Sequence, residues 1–128
     1  MKKLFIFLLI TLVSILEFQA QAPQGLNYQA TVRNSSGDVL MNQNVYFKFN
    51  ILQGSQTAVP SYTEVHYVPT DDLGQVSLVI GQGTVSVGVF LELDWALDTC
   101  FLGIELDIGD GYKAMGTTQF YSVPYALY

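Results

Sequence analysis

The 128 residues are enough for one domain with a sizeable core, since half of them are hydrophobic and only 12% are charged. Five cations against eleven acids give a net charge of −6, which argues against nucleic acid, whose phosphates need Lys and Arg, and against an anionic membrane surface. The single cysteine, Cys100, can close no internal disulfide and supplies no metal-site spacing.

Residues 1–20 read as a signal peptide. Lys2 and Lys3 are followed by an apolar run from Leu4 to Leu16 and then by the small residues Ala20 and Ala22. The apolar run is shorter than the roughly 20 residues that span a bilayer, so cleavage is expected rather than stable membrane insertion. A cut after Ala20 is preferred to one after Ala22, which would put Pro23 first. No cysteine in this region could carry a lipid anchor. Without the leader, Arg33, Lys48 and Lys113 face ten acids, a net charge of −7. The expected destination is outside the cell or its outer surface, with the periplasm as the alternative.

From Leu26 the apolar residues alternate. Leu26, Tyr28, Ala30 and Val32 fall on one face and Asn27, Gln29, Thr31 and Arg33 on the other, the period of a half-buried strand. Residues 34–38, N-S-S-G-D, are a turn cluster, and residues 39–41 a short extended piece. The strongest pattern is N-V-Y-F-K-F-N-I-L-Q at residues 44–53. There Val45, Phe47, Phe49 and Ile51 take every second position, as in a central strand. After a loop at 53–60, residues 61–68 alternate again, with Thr63, Val65 and Tyr67 expected inward and Glu64 and His66 outward. The stretch P-T-D-D-L-G at 69–74 is a tight turn, and Val76, Leu78 and Ile80 make the next inward face.

Residues 84–97 are the least regular: Phe90, Leu93 and Trp95 fit either a helical turn or an ordered loop pinned by aromatics, the loop being preferred, with Trp95 as a core anchor. The best hairpin signal follows: residues 101–108, then Gly109-Asp110-Gly111, then residues 112–123, closed by Pro124. Leu102, Ile104, Leu106 and Ile108 form its buried side. About seven short strands with turns every 8–12 residues predict an all-β antiparallel two-sheet sandwich with Greek-key connections, occupying residues 21–128. A small closed barrel is the alternative.

Three stretches together carry a family resemblance: Q-A-P-Q-G-L-N-Y-Q-A at 21–30, I-G-Q-G-T at 80–84, and M-G-T-T-Q-F-Y-S-V-P-Y-A-L-Y at 115–128. In this order they resemble the N-terminal domain of secreted and surface proteins of Bacteroidota-type bacteria. The resemblance implies a domain that follows the signal peptide and precedes long collagen-like or tail-fibre-like stalks. In that family V-P-Y-A-L-Y is a junction to further protein, whereas the sequence here ends at Tyr128. The resemblance implies no catalytic residues.

Reactive chemistry is poorly represented. Asp71, Asp72, Asp107 and Asp110 lack the spacing of a calcium loop and suit turns that bond their own backbone. His66 has no nucleophile motif to serve and is expected to be solvated or cross-strand; Cys100 is expected to be a small buried hydrophobe. No enzyme, metal or cofactor is expected.

Eight tyrosines remain as binding material. Tyr46 is expected on display, and Tyr121, Tyr125, Leu127 and Tyr128 form an apolar C-terminal junction or docking segment at residues 121–128. The sequence thus points to a non-enzymatic exported head or adaptor of an adhesin-like surface fibre. Its expected partners are a second copy or a C-terminal stalk, and a glycan or protein ligand. The alternative is a free-standing secreted glycan- or peptide-binding domain.

Overall fold

The computed structural model describes residues 25–96 and 99–120. The predicted leader and residues 121–128 lie outside the described residues. Seven strands form among those described: β1 (Leu26–Thr31), β2 (Asn44–Gln53), β3 (Tyr62–Pro69), β4 (Gln75–Ile80), β5 (Thr84–Val87), β6 (Cys100–Asp107) and β7 (Lys113–Gln119). They make two antiparallel sheets, a pair β1-β4 and a five-stranded sheet in the order β5-β3-β2-β6-β7. The chain changes sheet on leaving β1, β3 and β4, and the β5–β6 connection passes beyond both β3 and β2. The protein is an all-β sandwich.

β2 is central, paired to β3 on one side and β6 on the other. Its alternation is realised as read: Phe47, Phe49 and Ile51 are at most 2% exposed. Tyr28 of β1 sits edge-on to both Phe47 and Phe49, at 5.9 and 5.0 Å between ring centroids, which closes the two sheets on each other. Val76, Leu78 and Ile80 of β4 complete this core.

One expectation is corrected. Residues 84–97 are not all loop, because Thr84–Val87 pairs with β3 as an edge strand and Phe90–Glu92 forms one 3-10 turn. All four β5 residues are exposed, and although Val85 and Val87 alternate with Thr84 and Ser86, the run is only four residues long. At residues 39–41, read as a short extended piece, Val39 makes an isolated antiparallel bridge to Arg33. Trp95 is buried as expected, at the centre of an edge-to-face chain that runs Tyr62, Phe90, Trp95, Phe120. That chain ties β3 and the end of β7 to the irregular segment between them.

Trp95→Ala removes the middle link of the chain and opens a cavity beneath it. Large aromatic-to-alanine changes in cores cost about 3–5 kcal/mol. Thermal unfolding of the variant should show a loss of that size with the β-sheet circular dichroism retained below the transition.

Candidate functional site

The side chains capable of chemistry gather in two places, one inside the sandwich and one outside it. The inner group centres on Glu64, which is fully buried. The expected facing of β3 is therefore inverted: Glu64 and His66 point inward, whereas Tyr67 is exposed and Val65 half-buried on the outer face. The cause is visible in the register, which sets Tyr62, Glu64 and His66 opposite the inward residues Ile51, Phe49 and Phe47. A strand has one facing, and Tyr62 wins it for the even-numbered positions.

Burying a carboxyl group is tolerable only with full hydrogen bonding. Tyr62 Oη donates to Glu64 Oε1 at 3.0 Å, and the Gly83 amide donates to Oε2 at 2.7 Å. The Gly81 amide adds a bond to Oε1, and His66 Nε2 meets Oε2. The His66 ring is held edge-on to Phe49 of the neighbouring strand at 5.6 Å, so of the two expectations for this histidine, solvated or cross-strand, the structure gives the second, on the inner face rather than the outer. The I-G-Q-G-T motif supplies the two amide donors, and its glycines have a steric reason. A Cβ on Gly83 would lie 2.6 Å from His66 Nε2 and against the Glu64 carboxyl. Gly81 has φ 110°, outside the range that side chains adopt readily.

Among the described residues no buried side-chain N or O lacks a partner, so the Glu64 carboxyl is fully bonded within the fold. It is a clasp. Asp71 and Asp107 act comparably on the surface. Asp71 Oδ1 accepts from the Leu73 and Gln75 amides, and Asp107 Oδ1 from those of Gly109 and Gly111. Cys100 is buried, as expected.

The outer group is accessible at Tyr46 and Tyr67, whereas Thr63 at its other end is buried. On the face of the five-stranded sheet away from β1 and β4, the register stacks three rows across β3, β2 and β6. They are Tyr67-Tyr46-Asp107, Val65-Lys48-Glu105 and Thr63-Asn50-Gly103. Tyr46 and Tyr67 are 42% and 59% exposed and stack at 4.4 Å with 27° between their planes. Lys48 Nζ lies 4.1 Å from the centre of the Tyr112 ring, a cation–π contact. Beside them, Thr63 donates to Asn50 Oδ1 at 2.7 Å and Asn50 donates to Glu105 Oε2 at 3.0 Å. The Tyr112 phenol is pushed up from its ordinary value, first by burial and then by Asp107, Tyr46 and Glu105. The strip is thus aromatic with acidic flanks and one cation.

Tyr46 is displayed as expected, but its partners Tyr67, Tyr112 and Lys48 were not singled out by sequence. Only the register β2–β3 brings the two tyrosines opposite each other. Tyr121, Tyr125, Leu127 and Tyr128 lie outside the described residues. A shallow depression on the other sheet, lined by Gln29, Thr31, Asp71, Gln75 and Ser77 among others, is polar, and its one carboxylate is occupied by its own turn.

A family model described as a domain of unknown function (DUF8740) matches residues 27–119, essentially β1 through β7, and the chain belongs to that family. No curated protein and no solved structure matches the chain.

Two outcomes follow from the clasp. Glu64→Gln turns an NH2 group toward an amide donor, and Gly83→Ala pushes a methyl into the same carboxyl. An unsatisfied buried group costs about 1–3 kcal/mol, so chemical denaturation should show losses in that range for Glu64→Gln and a comparable loss for Gly83→Ala. The Tyr62 phenol is pushed far above its ordinary value, by burial first and then by Glu64. The folded state holds that proton more tightly than the unfolded chain does. Its stabilising contribution is complete below pH about 10 and declines as pH rises further. Tyr62→Phe should flatten the fall in stability measured by denaturation at alkaline pH.

Proposed function

We propose that this chain is a non-enzymatic exported interaction module, the head or adaptor of a cell-surface fibre, and that it engages its partner through the outer face of the five-stranded sheet. The observation that carries the reading is the exposed Tyr46–Tyr67 stack. Tyrosines offer large, rigid contact area at small entropic cost and are enriched at interfaces. Here they stand on paired strands, with Thr63-Asn50-Glu105 fixing the register beside them. The leader-like residues 1–20 and the resemblance of residues 21–30, 80–84 and 115–128 to stalk-bearing surface proteins support export and the fibre context.

The second reading, a free-standing secreted glycan- or peptide-binding domain, draws on the same strip. Aromatic rings next to the half-exposed Asn50 amide and Glu105 carboxyl suit a sugar, which stacks on the rings and hydrogen-bonds the polar groups.

Intact mass and cell fractionation of the native protein separate the two. A surface species far heavier than one domain is expected for a fibre head, and a species the size of residues 21–128 would remove the fibre reading. For the strip itself, the labelled chain is applied to a glycan array and to outer-membrane fractions. Tyr46→Ala with Tyr67→Ala should weaken binding by about thirty-fold, the roughly 2 kcal/mol of an interface hot spot, without lowering the unfolding temperature. Undiminished binding would show that the strip is not the contact.

A further inference from the structure

The two margins of the five-stranded sheet are β5 and β7. An edge strand presents unpaired N–H and C=O groups, and proteins blunt such edges with charge, proline or bulges. β7 opens on Lys113, paired with Asp110, and carries a bulge at Met115. β5 has no charge and no proline, and its one irregularity is the extra residue Ser86 between the Val85–Glu64 and Val87–Thr63 pairs. Among the described residues no strand pairs with its other edge. The side chains there are apolar as well. Val85, Val87, Val89 and Leu91 are 45%, 44%, 51% and 64% exposed within seven residues. Gly88 keeps them together: it lies against the Ser61 carbonyl, closer than a Cβ would allow, so the chain beyond β5 stays beside the start of β3. Exposed apolar residues are ordinary singly and informative when contiguous. The margin is also neutral, for no Asp, Glu, Lys, Arg or His occurs from Leu73 to Leu91, or from Phe49 to Ser61 ahead of β3.

We infer that the β5 edge is a contact between two copies of this chain, paired antiparallel about a twofold axis at Ser86. Two features select a second copy as the occupant. The first is sequence symmetry. In T-V-S-V the axis at Ser86 sets Val85 opposite Val87 of the partner subunit and Val87 opposite Val85 of the partner subunit. One surface is then complementary to itself, as a twofold contact requires. The second is charge. A chain of net charge −6 repels its own copy wherever acids face each other. Here the one acid beside the strand, Glu64 opposite Val85, is fully buried. A strongly acidic or basic partner would find no charge to pair with. The contact is small, because the strand is four residues long and bulged. It belongs at the lower end of specific interfaces, below about 1,200 Å2 in total, and the association is weak and reversible. The twofold axis stands normal to the sheet, so two five-stranded sheets join into one with their outer faces on the same side. Both Tyr46–Tyr67 stacks then lie on one surface, where a partner with repeated epitopes is held at two points. The inference concerns the sheet edge and stands whether or not that stack is a partner contact.

The test is sedimentation equilibrium on the exported full chain. A monomer–dimer equilibrium is expected, with a dissociation constant of roughly 10–100 μM. Val85→Lys together with Val87→Lys apposes like charges across the axis and should raise that constant about ten-fold or more. The unfolding temperature should not fall, since both side chains are exposed. If that double variant fails to fold, a cross-link decides. Ser86→Cys should join two copies by a disulfide under mild oxidation, whereas Met115→Cys, exposed on the other edge, should not; the native Cys100 is buried. A chain that stays monomeric up to about 1 mM overturns the inference. So does a dimer that the two lysines leave intact, or cross-linking through Met115→Cys rather than Ser86→Cys.

Discussion

Four donors and one buried carboxyl group hold this sandwich together where its two sheets exchange the chain. β4 belongs to the small sheet and β5 to the large one, and Gly81-Gln82-Gly83 is the whole of the link between them. Glu64, on β3, binds both ends of that link through the Gly81 and Gly83 amides and is itself steadied by Tyr62 and His66. An unpaired carboxyl at full burial would be prohibitively costly, so the turn and the side chain require each other. The consequence is positional. Once the end of β4 is bound to β3, β1 and β4 lie over one half of the large sheet, with Tyr28 on Phe47 and Phe49, and burial falls off across β6 to the exposed β7.

The same geometry separates structural residues from displayed ones. Everything polar on the inner side of β3 is consumed by the clasp, whereas the outer side carries Tyr67 and its neighbours into solvent. Pairing of β3, β2 and β6 in fixed register converts isolated residues into a strip of aromatic, amide and carboxyl groups on rigid strands. Function lives in such sites rather than in the fold. The exposed tyrosine pair is the part of this sandwich on which the proposed contact role rests.

Much of the fold was legible wherever apolar residues alternate with polar ones. Val45, Phe47, Phe49 and Ile51 announced β2, the even-numbered residues from Leu26 to Val32 announced β1, and Gly109-Asp110-Gly111 announced the β6–β7 hairpin. Alternation failed on β3 because its buried side is Tyr62, Glu64 and His66, polar residues that pay their way through partners distant in sequence. The unspent signal was the Gly-x-Gly turn, which brings two amide donors and needs an acceptor. β5 was missed although Val85 and Val87 alternate with Thr84 and Ser86, because a four-residue alternation between two glycine-bounded turns is too short to stand out. Of the candidate contact residues, Tyr46 was readable from its parity on β2, but the stack with Tyr67 and the Lys48–Tyr112 contact depend on pairing that one-dimensional reading got wrong or could not supply.

The central claim is that the Glu64 carboxyl makes the Gly81–Gly83 turn part of the core. Residue-resolved amide hydrogen exchange tests it most directly. The account predicts that the Gly81 and Gly83 amides, although they lie in a turn between strands, exchange as slowly as the amides of β2 and only on global unfolding. Exchange at the rate of the turn at Gly109 and Gly111, while β2 stays protected, would contradict it.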